Sequence, residues 1–302
     1  MQRRDLIKYA LVGGVSAILP VSTSAANSQE SSASPDAHLT TPLTVPASGV
    51  INVAFLLGAD AEVVDFSGPW GVFEHVSLAE DDRKPFKLYT VAASKDPVRV
   101  SSGMSIVPDH AFSDTPASNI VVVPAMQFEP LNPAMLDWLR SMYKKADLMM
   151  SVCNGAFILA EAGLLDGKKA TCHHGGYGSL RAYDVEVIRG ARYVEDGRIA
   201  TAGGLTSGTD LALRVVERYF GRKVAIDTAT GLEYQGTGWM HPESNAQYAK
   251  KPVSTEEHPL CPVCESAVDK KTAINAVYRG QTYYFCGEWC RKHFLAAPQR
   301  FL

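Results

Sequence analysis

The chain has 302 residues, 46% of them hydrophobic, with 29 basic against 32 acidic side chains and a net charge of −3. That is enough chain for one α/β domain plus a small extra module, and it is apolar enough for a packed core. The balance leaves no basic stripe and no helix-turn-helix pattern is found, which argues against nucleic acid as the main partner.

The first 26 residues, "MQRRDLIKYALVGGVSAILPVSTSAA", read as a signal peptide. Paired Arg3 and Arg4 precede an apolar run too short for a comfortable membrane span, and small residues close it near Ala25 and Ala26. "RRDLIK" resembles the twin-arginine export motif, with a Sec signal as the alternative. A periplasmic or otherwise exported protein is expected, with no stable membrane span after signal removal. Residues 27–48, rich in Ser, Ala, Thr and Pro, read as a flexible linker.

Continuous apolar runs at 50–57 ("VINVAFLL"), 86–93, 119–125 and 147–153 suit parallel strands buried on both faces. Helical patterns lie between or after them: "GPWGVFEHVSLAE", "PAMLDWLRSMYKKA", "GAFILAEAGLL" and "TSGTDLALRVVERYFG". In the last of these, Leu211, Val215, Val216 and Tyr219 share one face. "ARYVEDGRIATAGG" looks like two short strands around the Asp196–Gly197 turn. The alternation predicts an α/β fold, a doubly wound, mostly parallel sheet sandwiched by helices, over residues 49–232. Residues 233–257, with Gly, Pro, Asn, Ser and charges, read as a linker. A cysteine-rich module follows at 258–302 and holds four of the six cysteines.

"DLMMSVCNGAFILAEAGLL" places Cys153 at the carboxyl end of a strand, with Gly155 opening a helix. Reacting groups collect at such strand ends, and a sharp turn aims helix amides at the side chain. Those amides lower a thiol pKa and can bind an oxyanion, so Cys153 is expected to be the most reactive accessible thiol. A buried structural cysteine is the alternative.

Three stretches widen the case: "VVDFSGPWGVFE", "SVCNGAFILAEAGLLDGKKATCHH" and "GRIATAGGLTSGTDLALRVVERYFG". Together they resemble the ThiJ/PfpI superfamily, a class I glutamine amidotransferase-like group with a flavodoxin-like fold, nearest the isonitrile hydratase branch. The resemblance implies a catalytic set of Cys153, Asp65 and His173. Asp65 would stabilise the thiolate or shuttle a proton, with Glu62 as runner-up for that role. A helix-terminal carboxylate is the bland reading of Asp65. The Asn154 amide and the Ala125–Met126 loop would hold developing negative charge. That loop departs from the family's Pro-Gly-Gly, His174 replaces the branch's usual tryptophan, and Cys172 stands where Thr is usual. Cys172 is either a second thiol near Cys153 or a small buried residue. The α/β domain is expected to carry no cofactor, and the resemblance implies a homodimer, although no surface in the sequence declares an interface.

The tail has Cys261-x2-Cys264, twenty-one intervening residues, then Cys286-x3-Cys290. Two close pairs at that separation suit four tetrahedral ligands, with two disulfides as the alternative in an exported protein. "VYRGQTYYFCGEWCRKHFLAAPQRF" resembles a YHS domain, related to TRASH-type heavy-metal modules. The resemblance covers Cys264, Cys286 and Cys290, with Cys261 completing the set and His258 and His293 in reserve. Zinc would be structural, whereas copper would suggest sensing or delivery.

The expected function is that of an exported cysteine enzyme acting on a small electrophile, by hydration or hydrolysis of a C–N or carbonyl group, with a metal-binding tail. The alternative is a non-catalytic metal or redox-stress binding protein that uses Cys153 and the tail cysteines.

Overall fold

The computed structural model describes residues 41–78, 84–128 and 131–302. The signal segment and most of the linker expected at 27–48 lie outside them. No helix among the described residues is long and apolar enough to cross a membrane.

The predicted strands form as β1 (Ile51–Leu56), β2 (Phe86–Ala92), a small hairpin of β3 (Val98–Arg99) and β4 (Ser105–Ile106), β5 (His110–Ala111), β6 (Ile120–Val123) and β7 (Leu148–Val152). A short parallel pair follows, β8 (Lys168–Ala170) with β9 (Val185–Val187), and then the hairpin β10 (Tyr193–Asp196) and β11 (Ile199–Ala202). One seven-stranded sheet runs β10-β11-β7-β6-β1-β2-β5. Only the β10–β11 pairing in it is antiparallel. Gly197 takes φ 64° at the tip of that hairpin, a conformation glycine adopts without strain.

Both faces of the sheet are covered, which is why its central strands read as unbroken apolar runs. Val53, Phe55, Val122 and Met150 point to one core layer, and Ala54, Leu56, Val121 and Met149 to the other. The first layer packs against helices α1 (Val63–Glu74), α5 (Ser207–Phe220) and α6 (Arg222–Gly231). The second packs against α2 (Pro133–Tyr143), α3 (Gly155–Glu161) and α4 (Tyr177–Leu180).

Two differences from expectation matter here. The helix predicted from Gly68 starts earlier, at Val63, and carries Pro69 inside it, so Asp65 belongs to its first turn and not to a loop. The segment expected as a linker is partly packed: Trp239 is buried, and its carbonyl accepts from the Tyr193 hydroxyl at 2.7 Å. Helix α6 was not foreseen. Gly221, at φ 85°, ends α5 and lets the chain turn directly into it.

The tail folds as a hairpin of β12 (Ile274–Tyr278) and β13 (Gln281–Phe285), followed by α7 (Glu288–Ala296). It sits against the α/β domain. Glu265, the residue after Cys264, pairs with Arg181 at 2.5 Å and with Arg189. The Arg300 guanidinium meets the Tyr183 carbonyl. A Cβ on Gly178 of α4 would overlap the Cys264 carbonyl, so the two backbones touch there.

Candidate active site and metal centre

The strand order turns back at β1. From it the chain first moves to β2 and β5, then returns to β6 on the other side. The loops leaving the carboxyl ends of β1 and β6 meet here, tied by the Glu62 N–H donating to Ala125 O at 2.8 Å and the Gln127 N–H donating to Ala59 O at 2.9 Å. The carboxyl edge at such a switch point is the common location of sites in open α/β sheets.

Cys153 stands on the same carboxyl edge one strand beyond β6, between β7 and α3, with φ 58°. Positive φ is costly for a residue with a side chain, and such strain at a strand-to-helix turn marks a nucleophile elbow. The turn is held by the Cys153 N–H donating to Gly203 O at 2.8 Å. Gly155 is required because a Cβ there would overlap Val123 O. Two backbone amides, of Asn154 and Leu205, hydrogen-bond the sulfur and pull its pKa down. Asn154 was expected. Leu205 was not, although "GGLTSG" signalled a special turn: after two glycines, Leu205 itself has φ 44°.

Asp65 is fully buried beside the thiol. Its Oδ2 accepts the Ala125 N–H at 3.0 Å. The Ala125 amide, half of the expected oxyanion loop, therefore serves the carboxyl group, while Met126 lines an adjoining pocket. Asp65 Oδ1 is buried without a partner of regular hydrogen-bond geometry among the described residues. Burial raises the Asp65 pKa to about 7, with further upward push from Glu62; the Ala125 amide and a hydrogen bond with Cys153 oppose it. Glu62 is at the helix start, where Ser101 Oγ approaches its carboxylate at 3.5 Å, so it acts on the pair through charge.

The thiol departs from its expected depression. Burial and the Asp65 charge outweigh the two amides and push Cys153 up to about 11. It is also only 8% exposed, whereas Cys286 in the tail is the exposed cysteine. Thiol and carboxyl group thus behave as one unit that loses a first proton near pH 7 and a second near pH 11. Asp65→Asn is expected to remove the step near 7 and to bring thiolate formation below 11, because an amide carries no charge to repel sulfur. Iodoacetamide labelling of Cys153 against pH, read by peptide mass spectrometry, checks this; an unshifted profile would show that the two groups do not interact.

His173 caps a short turn, its Nδ1 accepting the Gly175 N–H at 3.2 Å. In the neutral ring the proton is therefore on Nε2. Burial first, then His174, lowers its pKa, which favours that neutral form. With Leu205 it lines a hollow separate from the cavity that Met126 lines. His174 stacks on Tyr248, with ring centroids 5.0 Å apart. Cys172 is wholly buried, donates to the His173 carbonyl at 3.3 Å, and is not in a disulfide.

In the tail, the sulfurs of Cys261, Cys264, Cys286 and Cys290 lie within 4.8 Å of one another, and none is in a disulfide. Cys264 is 3.3 Å from Cys286, and Cys286 is 3.4 Å from Cys290. A tetrahedral ion with metal–sulfur bonds of about 2.3 Å sets its ligands ~3.8 Å apart, so this set fits one ion after small adjustment. Four thiolates suit zinc and also Cu(I). The Nδ1 of His293 lies 2.9 Å from the Trp289 carbonyl, and His258 is exposed, so the four sulfurs form the cluster without either histidine.

Comparison with known proteins agrees with this geometry. Residues 51–218 match the DJ-1/PfpI family and residues 261–302 match the YHS domain. Isonitrile hydratase of Pseudomonas putida is 31% identical over 188 residues, 61% of this chain and 77% of that protein. The HTH-type transcriptional regulator CdhR of Pseudomonas aeruginosa is 32% identical over 149 residues, 48% of this chain but only 44% of the regulator. Among solved structures, a ThiJ/PfpI family protein from Pseudomonas syringae superposes with a TM-score of 0.56 at 29% identity, covering 62% of this chain and 76% of that one. With family, fold and cysteine cluster in agreement, the chain belongs to the DJ-1/PfpI family and carries a C-terminal YHS domain.

Proposed function

We propose that this protein is a cysteine-dependent enzyme that hydrates a small electrophile of the isonitrile type. The observation that carries the reading is the pairing of a strained, amide-facing thiol with a buried carboxyl group poised to hold a proton near neutrality. The similarity to isonitrile hydratase supports the choice of substrate class.

In the singly protonated pair, the proton resides on sulfur or on Asp65. With it on Asp65, the Cys153 thiolate, steadied by the Asn154 and Leu205 amides, attacks the terminal carbon of R–NC. The S–C bond forms and the Asp65 proton moves to that carbon, giving a thioimidate, R–N=CH–S–Cys153. Water then adds across the C=N bond, its hydroxyl to carbon and its proton to nitrogen. The hydroxyl proton returns to the pair as the C–S bond breaks, releasing R–NH–CHO. One isonitrile and one water give one N-substituted formamide, and the thiol is regenerated. The neutral His173, which lines the hollow with Leu205, would help orient the attacking water. Metal in the tail serves the fold and takes no part in these steps.

The singly protonated pair accumulates above pH 7 and is lost above pH 11, so the rate is expected to rise through about 7. Full-length protein incubated with an alkyl isonitrile, with formyl-proton appearance followed by NMR, tests the reading. No formamide at any pH between 6 and 10 would reject it.

The second reading, a non-catalytic sensing or binding protein, is favoured by one observation: the thiol is pushed up to about 11 and buried, so it is mostly protonated at neutral pH, which slows nucleophilic attack and, equally, oxidation. The regulator relatives contain the same kind of domain. The same experiment separates the two, because a sensor binds without turnover.

A further inference from the structure

A cavity of about 320 Å³ adjoins the elbow, and its walls come from both parts of the chain. Met126 and Phe128 from the loop after β6, Phe157 from α3 and Ser179 from α4 form one side. Trp289 from α7 of the YHS domain forms the other. Asn154 lines the same cavity, and its backbone amide reaches the Cys153 sulfur. The thiol is not itself in the lining, so a molecule in the cavity would have its body among the aromatic rings and would reach the thiol past Asn154, the next residue in the chain.

The space accommodates one ring and a small functional group, since a cavity of roughly 150 Å³ already takes benzene. Phe128 and Phe157 meet edge to face, with centroids 5.9 Å apart. Trp289 is held from behind by the His293 ring, whose centroid lies 3.7 Å from its own. It sits in sequence between Cys286 and Cys290, two members of the sulfur cluster. The cluster's own backbone rests on α4, and the partly buried Glu265 carboxylate is clamped by Arg181 and Arg189. The indole therefore belongs to a docked surface and not to a free tail.

We infer that Trp289 is a specificity-determining residue of the cavity beside Cys153, and that the electrophile this thiol accepts carries an aromatic or similarly flat apolar body. This rests on Cys153 being the reacting group, and the test separates the two claims. Metal-loaded full-length protein is labelled with N-phenylmaleimide and with N-methylmaleimide, and the rate at Cys153 is read by peptide mass spectrometry. The ratio of the two rates is compared with the same ratio on glutathione.

The wild-type ratio is expected to exceed the glutathione ratio by about tenfold, the scale of one well-packed aromatic contact. Trp289→Ala should remove most of that excess, and Trp289→Phe, which keeps a flat ring, should retain it. Should Trp289→Ala fail to hold metal, Trp289→Leu reads the same ratio. An excess that is absent in the wild type, or equal in Trp289→Ala and wild type, overturns the inference while leaving the reactive thiol in place. If neither maleimide labels Cys153, the thiol reading fails, and benzamide binding to Cys153→Ser by NMR decides the pocket. Affinity should then fall about tenfold on adding Trp289→Ala; unchanged affinity overturns the inference.

Discussion

Cys153→Ser is expected to lower formamide production from an isonitrile by at least about a thousandfold, the scale seen when the nucleophile of a concerted catalytic unit is removed. Serine occupies nearly the same volume and can keep the positive-φ turn and the hydrogen bond to Gly203, so the fold is retained. What is lost is the thiolate. A serine hydroxyl in this position has no strong base beside it, because Asp65 with a pKa of about 7 holds a proton far less tightly than an alkoxide would. The residual rate in Cys153→Ser should also lose its dependence on the step near pH 7. Residual turnover within tenfold of wild type would show that sulfur is not the nucleophile and that the pocket acts by binding alone.

Metal removal should have the second large effect, with the unfolding itself limited to the tail. The buried core of the YHS domain consists of Cys261, Val263, Cys264, Val268, Phe285, Cys290, Phe294 and Phe301. Three of these eight are members of the sulfur cluster, so the site and the core are largely the same object. A module this small gains roughly 3–5 kcal/mol from its core, against about 10–16 kcal/mol apparent for a structural zinc site. Chelation, or the double variant Cys261→Ser with Cys264→Ser, is therefore expected to open residues 258–302 to protease while the α/β domain stays resistant. The thiols must lose their protons to bind, so acidification should release the ion and have the same result. Unchanged protease resistance together with two disulfides by mass spectrometry would contradict the metal reading.

Much of this architecture is legible in the amino-acid sequence. The runs at 50–57, 86–93, 119–125 and 147–153 became β1, β2, β6 and β7 because buried parallel strands need apolar residues on both faces. The position of Cys153 followed from the end of one such run and a glycine two residues on. The spacing of Cys261, Cys264, Cys286 and Cys290 announced a four-sulfur set, since each close pair spans one turn. Helix α6, the earlier start of α1 and the packing of Trp239 were not legible. Their stability comes from contacts with the core and not from a local pattern, and a Pro within α1 reads as a start signal when only neighbours are considered.

The amino-acid sequence by itself pointed to the candidate groups: a thiol at a strand end, Asp65 through the family resemblance, and a tail whose close cysteine pairs suit a metal. The tertiary structure alone decided their chemical state. Whether Cys153 is depressed or raised depends on how the amides of Asn154 and Leu205 balance burial and the charge of Asp65, and these residues lie far apart in the chain. Likewise Asp65 meets Ala125 across 60 positions, and Trp289 shares a cavity with Asn154 although 135 residues separate them. Electrostatic and packing energies depend on distance in space, and only the folded chain sets those distances.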